Sequence, residues 1–240
     1  MSPSLLSADF LNLERDVRLI EQAGPEFLHV DVMDGHFVPN LTVGPPIVKA
    51  LKAITQIPLD VHLMVANPAA QLDWYIDAGA DLISFHIETA GTGLHLPVSI
   101  GTSNSIDEVS DDELVYLMVD RIKKANRLVG IAVSPNTPVH LVFPYLSLID
   151  SVMVMSVHPG FGGQSFLISS LQKIEALKNE AAAQKIDLVI EVDGGINAET
   201  AVQAVSAGAN MLVAGNAIFG ENDPLSALKH LRQLSNNLPS

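Results

Sequence analysis

Five short apolar runs in this sequence end in residues that can carry protons or bind cations. They read His29-Val30-Asp31-Val32-Met33-Asp34-Gly35, Asp60-Val61-His62-Leu63-Met64, His86-Ile87-Glu88, Met155-Ser156-Val157-His158-Pro159 and Glu191-Val192-Asp193-Gly194-Gly195. If each run is a strand, alternation puts His29, Asp31 and Met33 on one face, with Val30 and Val32 on the other. His62 and Met64 share a face in the same way. An interior holding His29, Asp31, His62 and Asp193 is costly unless those groups pair or hold a cation. Two imidazoles with two carboxylates suit zinc, iron(II), cobalt or manganese better than magnesium or calcium. One histidine alone is more often a hydrogen-bonded core residue than a ligand. Four such groups facing inward from three strands, at one end, are hard to account for as packing. His86 reads as a hydrogen-bond partner outside that set, and His36 and His158 as solvated loop residues.

Glycine clusters follow the same runs. Pro159-Gly160-Phe161-Gly162-Gly163-Gln164 comes after one, Gly194-Gly195 after the next, and Gly215-Asn216 after the last, opening the short turn Ala217-Ile218-Phe219-Gly220. One glycine pair reads as a tight turn. Three clusters at neighbouring strand ends read as a phosphate site, because glycine lets backbone N–H groups converge on an anion. No Lys or Arg lies in these three loops, so backbone donors would do the binding.

The elements that must position these residues form a repeating pattern. Ala-Gly precedes an apolar run at Ala23-Gly24, Ala78-Gly79 and Ala207-Gly208, as when glycine closes a helix before a buried strand. Strands are predicted at 3–6, 27–32, 58–63, 81–86, 128–133, 150–156, 187–192 and 210–214, each followed by a helical pattern. The helical stripes are Leu13, Val17 and Ile20; Ile47, Leu51 and Ile54; Leu167, Leu171, Ile174 and Leu177; and Leu228, Leu231 and Leu234. A doubly wound open sheet is possible, but eight such units in 240 residues favour a single-domain (β/α)8 TIM barrel of eight parallel strands. Right-handed crossovers then bring the strand C-termini, where such barrels keep their active sites, to one end. Residues 88–110 break the rhythm as a long loop insertion: a lid, a subunit contact or a plain surface excursion. Ser110-Asp111-Asp112-Glu113 reads as a capping box opening a helix with Leu114, Leu117, Met118 and Ile122 inward.

Composition removes several classes of function. The chain has 13 basic and 27 acidic residues, a formal charge of −14, so nucleic acid and anionic membranes are not its expected partners. It has no cysteine, which excludes thiol nucleophiles, disulfides and iron–sulfur clusters. No apolar run reaches the roughly 18 residues of a membrane span. Met1-Ser2-Pro3-Ser4 does not look like a secretory leader, so a cytoplasmic protein is expected.

With these motifs assembled, the chain resembles the ribulose-phosphate 3-epimerase family over nearly its whole length. The resemblance is carried by Pro3-Ser4-Leu5-Leu6-Ser7-Ala8-Asp9-Phe10, His29 through Asn40, Leu59 through Met64, Met155 through Phe166, and Glu191 through Ile196. It implies a metal-dependent epimerase interconverting D-ribulose 5-phosphate and D-xylulose 5-phosphate, in pentose phosphate or Calvin-cycle metabolism. It implies one divalent metal, zinc before iron, manganese or cobalt, held by His29, Asp31, His62 and Asp193, with no organic cofactor. Asp31 and Asp193 would also be the acid/base pair, and Ser7 and His62 would touch the sugar. Gly160, Phe161, Gly162, Gly163, Gly194, Gly195, Gly215 and Asn216 would bind the phosphate end, and Met33, Met64 and Met155 would floor the site. A homo-oligomer is expected. The chain departs from the family pattern at His158, where Asn is usual, at Asn216, where Ser is usual, and in the long loop. Inverting a carbon next to a ketone needs a proton removed from one face and returned to the other, hence two carboxylates and an enediolate between. A six-carbon ketose phosphate such as allulose 6-phosphate is the alternative substrate. A non-catalytic sugar-phosphate-binding barrel is the alternative of another class.

Overall fold

A computed structural model describes residues 1–90 and 111–236. Most of the expected loop at 88–110, and Ser110 of the expected capping box, lie outside the described residues. The elements run β1 (Ser2–Pro3), α1 (Leu13–Glu21), β2 (Leu28–Met33), α2 (Pro45–Ile54), β3 (Leu59–Met64), α3 (Pro68–Ala78), β4 (Leu82–His86) and α4 (Asp111–Lys124). They continue with β5 (Leu128–Val133), β6 (Ser151–Met155), α5 (Ser170–Gln184), β7 (Val189–Asp193), α6 (Ala198–Ala207), β8 (Met211–Ala214), α7 (Asn216–Phe219) and α8 (Pro224–Asn236).

The order around the sheet is β1-β8-β7-β6-β5-β4-β3-β2, and every neighbouring pair is parallel. A parallel bridge between Ser4 and His29 joins β1 to β2 and closes the ring. The fold is a (β/α)8 barrel. Outward residues such as Val61, Leu63, Ile83, Phe85, Val129 and Ile131 are fully buried under the helices, as expected of strands covered on both faces. Among the described residues no helix is long and apolar enough to cross a membrane.

Several expected boundaries and helix faces shift, two of them for a visible local reason. β1 stops at Pro3 instead of running 3–6, because the Ser4 hydroxyl caps a 3-10 turn at Leu5–Ser7 by accepting the Leu6 N–H. After β5 the chain forms a 3-10 segment, Val139–Tyr145, not an α-helix; Pro138 precedes it and Pro144 lies inside it, and neither has an N–H to donate. On α2 the inward position falls to Val48, while Ile47 is 36% exposed. On α4 the buried stripe is Val115, Met118, Val119 and Ile122, one step round from the expected Leu114 and Leu117. Leu167 precedes α5 rather than belonging to it.

Gly130 on β5 is required by space. A Cβ there would lie 2.1 Å from Ser84 Oγ and 2.7 Å from Ser151 Oγ. Gly130→Ala is therefore expected to cost about 1–3 kcal/mol through overpacking. Calorimetry should show a lower melting temperature, and adding Ser84→Gly should recover part of the loss, since the two sites are in contact.

Candidate active site

β2 and β3 pair in register, setting Asp31 beside His62 and His29 beside Asp60. The inward side chains of these strands meet that of Asp193, from the end of β7. His29 Nε2 lies 3.3 Å from Asp31 Oδ1. His62 Nδ1 lies 3.4 Å from the same oxygen and 3.9 Å from Asp193 Oδ2. One ligand atom from each of His29, Asp31, His62 and Asp193 falls within 4.8 Å of the others. The two nitrogens facing these carboxylates, His29 Nε2 and His62 Nδ1, are buried without a hydrogen-bond partner. Buried polar atoms normally find partners, and two orphaned nitrogens aimed at two carboxylates make the donor set a divalent cation needs. The residues present therefore fit a metal.

The cluster is held from behind. His29 Nδ1 is 2.5 Å from Asp60 Oδ2, a carboxylate–imidazole support that orients the ring. Ser4 Oγ donates to Asp31 Oδ2 at 2.7 Å, so the residue that closes the barrel also fixes this carboxylate. His62 Nε2 lies 2.9 Å from His86 Nε2, so His86 stands outside the four-residue set, as expected. Glu191 is fully buried below, its Oε1 3.8 Å from His29 Nδ1.

The electrostatics diverge across the cluster. Burial alone would raise the pKa of Asp31, but the His29 and His62 rings outweigh it and hold the carboxyl well below the usual range. Asp193 is pushed up to about 7 by burial and then by the charge of Asp31. Burial would lower His29, but Asp60 and Asp31 overcome this and raise it well above its ordinary value. The field that draws a proton to that ring also favours a cation in its place. Burial lowers His62 and His86, and burial with Asp60 raises Glu191.

A cavity of about 360 Å³ opens above the cluster. Asp31 and Asp193 reach its wall, as do Met33, Met64 and Met155. Ser7, Gly160, Phe161, Gly162, Gly163, Gly194, Gly195, Gly215 and Asn216 line it as well, and none of its described lining residues is Lys or Arg. His29 and His62 lie behind this wall, fully buried. Gly195 must be glycine: its φ is +64°, and a Cβ would sit 2.5 Å from the Phe166 nitrogen. Asn40 Nδ2 donates to the Gly160 carbonyl at 2.7 Å and ties the loop after β6 to the loop after β2. Ser156 Oγ donates to the Asp193 and Gly194 carbonyls at 2.9 and 2.6 Å, fastening the end of β7 to β6. His158 is exposed.

Sequence reasoning missed Ser4, Asp60, Glu191 and Asn40. Asp60 and Glu191 were accessible to it: each lies two residues before a site residue, His62 or Asp193, and so on the same face. Nothing local pointed to Ser4 or Asn40, whose roles come from residues distant in the chain.

The fold and this site define a class: a (β/α)8 barrel with a buried two-histidine, two-aspartate cluster beneath a glycine-walled cavity at the C-terminal ends of its strands. Solved structures with the same fold include KGPDC from Streptococcus mutans, with a TM-score of 0.69, 11% identity and coverage of 100% of this chain and 98% of that one. Another is 3-hexulose-6-phosphate synthase from Salmonella typhimurium, with a TM-score of 0.60, 16% identity and coverage of 99% and 100%. At the level of sequence, the profile of the ribulose-phosphate 3 epimerase family matches residues 1–100 and 107–219. The ribulose-phosphate 3-epimerase of Bacillus subtilis is 41% identical over 233 residues, covering 97% of both chains. The chloroplastic ribulose-5-phosphate-3-epimerase of Arabidopsis thaliana is 41% identical over 232 residues, covering 97% of this chain and 75% of that one. The chain belongs to the ribulose-phosphate 3-epimerase family, and with it to the isomerases.

Proposed function

We propose that this chain interconverts D-ribulose 5-phosphate and D-xylulose 5-phosphate, by proton transfer at C3 between Asp31 and Asp193. The observation that carries this reading is the convergence of those two carboxylates, from β2 and β7, on one cavity whose walls are glycine loops. One carboxylate removes the C3 proton; the electron pair left behind spreads into the neighbouring carbonyl as an enediolate; the other carboxyl returns a proton to the opposite face. Without a cation bound, Asp31 is held ionised while Asp193 keeps a proton near neutrality, which supports one base and one acid. Met33, Met64 and Met155 shield the flat intermediate from water. Ser7, on the cavity wall, is read as a sugar contact; His62, expected to touch the sugar as well, lies behind that wall and is read only as a holder of the cation. Backbone N–H groups of Gly160 to Gly163, Gly194, Gly195, Gly215 and Asn216 would receive the phosphate, with no cationic side chain needed. A divalent cation, zinc before iron, manganese or cobalt, would be held by His29, Asp31, His62 and Asp193, and when bound supplies Lewis-acid stabilisation of developing negative charge.

The same proposal treats the chain as one catalytic domain with an insertion at 88–110, working as a cytoplasmic homo-oligomer in pentose phosphate or Calvin-cycle metabolism. Its test is proton NMR of D-ribulose 5-phosphate in D₂O with zinc-loaded protein. Loss of the C3 proton signal together with growth of xylulose 5-phosphate is expected. Verified metal loading with neither exchange nor product overturns the proposal, and faster turnover of allulose 6-phosphate moves it to the six-carbon sugar.

A further inference from the structure

We infer that Glu88, acting through His86, sets the tautomer of His62 and so keeps bare the nitrogen that faces Asp31 and Asp193; the inference rests on the cation reading of that cluster. The chain of contacts begins outside the cluster. Glu88 lies in the 3-10 turn Ile87–Thr89 that follows β4. Its Oε1 accepts the Ser134 N–H at 2.7 Å. Lys173 steadies the segment that carries Ser134, donating to the carbonyls of Ser134, Pro135 and Thr137 at 2.7, 2.7 and 2.6 Å. One carboxylate oxygen is thus pinned by backbone, and the other, Oε2, is left 3.1 Å from His86 Nδ1.

From there the hydrogen positions follow by elimination. A carboxylate oxygen only accepts, so His86 Nδ1 carries the hydrogen, and in an uncharged ring Nε2 is then the acceptor. That Nε2 lies 2.9 Å from His62 Nε2, a distance that needs one hydrogen between the two nitrogens. With His86 accepting, His62 Nε2 donates, and His62 Nδ1 keeps its lone pair. This is the orphaned atom 3.4 Å from Asp31. Ser134 Oγ, 3.3 Å from His86 Nδ1, can accept from the same hydrogen and does not disturb the order.

The opposite tautomer would point an N–H of His62 into the place a cation would take. It would also leave two lone pairs facing each other between the rings, unless His86 took a second proton. That would bury an imidazolium one ring away from the cation. Both imidazoles of the cluster are therefore set from behind by a carboxylate, His29 directly by Asp60 and His62 across one intervening ring by Glu88. Glu88 is a positioning residue: its carboxylate bonds His86 and the Ser134 amide rather than joining the four-residue cluster.

Two measurements test this. In ¹⁵N-labelled, cation-free protein, long-range proton–nitrogen correlation should show His62 with hydrogen on Nε2 only and His86 with hydrogen on Nδ1 only. Hydrogen on His62 Nδ1 overturns the inference. In Glu88→Gln the amide can accept or donate, so the His62 tautomers should mix. Zinc affinity, read by competition with a chromophoric chelator, should fall about 10–100-fold, as for other residues that orient a ligand. Equal zinc affinity in wild type and Glu88→Gln overturns this inference and leaves the cation reading intact. No zinc uptake by the wild-type chain overturns the cation reading and this inference with it. If Glu88→Gln does not fold, the wild-type spectrum decides.

Discussion

Asp193→Asn is expected to lower turnover of D-ribulose 5-phosphate by about 10²–10⁴-fold, the usual contribution of a positioned acid or base. The loss should be lopsided in an informative way. Two proposed groups serve two faces of the substrate, so the variant retains the one that serves one epimer. That epimer should still trade its C3 hydrogen for deuterium, slowly, without forming product, while the other exchanges with neither. Asp31→Asn should reverse the pattern. Both positions also face the candidate cation site, so bound zinc has to be measured in each variant and turnover expressed per metal-loaded chain. Exchange from both epimers in either variant would mean that one group reaches both faces, and the two-carboxylate mechanism would be wrong.

Stripping the cation is the second large effect. Chelation should remove epimerase turnover, and zinc should restore it. The cation-free chain should also melt lower: a ligand at 100 times its dissociation constant stabilises by about 2.7 kcal/mol, which for a chain of this size is roughly 5–10 °C. The pH dependence has a definite sign. Asp193, with its pKa pushed up to about 7, and His29, raised well above its ordinary value, hold protons that a cation must displace. The cation-free state thus binds more protons, and apparent zinc affinity should rise as pH increases through neutrality. Titration calorimetry in two buffers of different ionisation enthalpy would report the released protons. Equal melting temperatures with and without zinc would remove the cation from the account.

The barrel and the cluster were legible for one physical reason. Strands covered by helices on one face should be apolar there, so a polar residue recurring every second position stands out. His29 with Asp31, and His62 and Asp193 on their own strands, did so. The same period held Asp60 and Glu191, which shows that the pattern carried more than the choice of ligands required. What it did not carry was contact between distant segments. Glu88 meets the Ser134 amide 46 residues on, and Asn40 meets Gly160 at a separation of 120; no local periodicity encodes either. Two of the boundaries that moved did so where a side chain or prolines competed with the backbone ladder, at Ser4 after β1 and at Pro138 and Pro144 after β5.

The shortest strand of the barrel has a consequence for how the molecule is made. Ser2 and Pro3 pair with Val213 and Ala214, so β1 gains its sheet neighbour on that side only after β8, more than 200 residues later in the chain, has formed. Ser4 then bridges to His29 and bonds Asp31. Contacts of such sequence separation form late and slowly. A chain whose β8 has not yet formed holds all four cluster residues but not the seam beside them, so the Ser4 contacts that fix Asp31 settle only when the two ends of the ring meet.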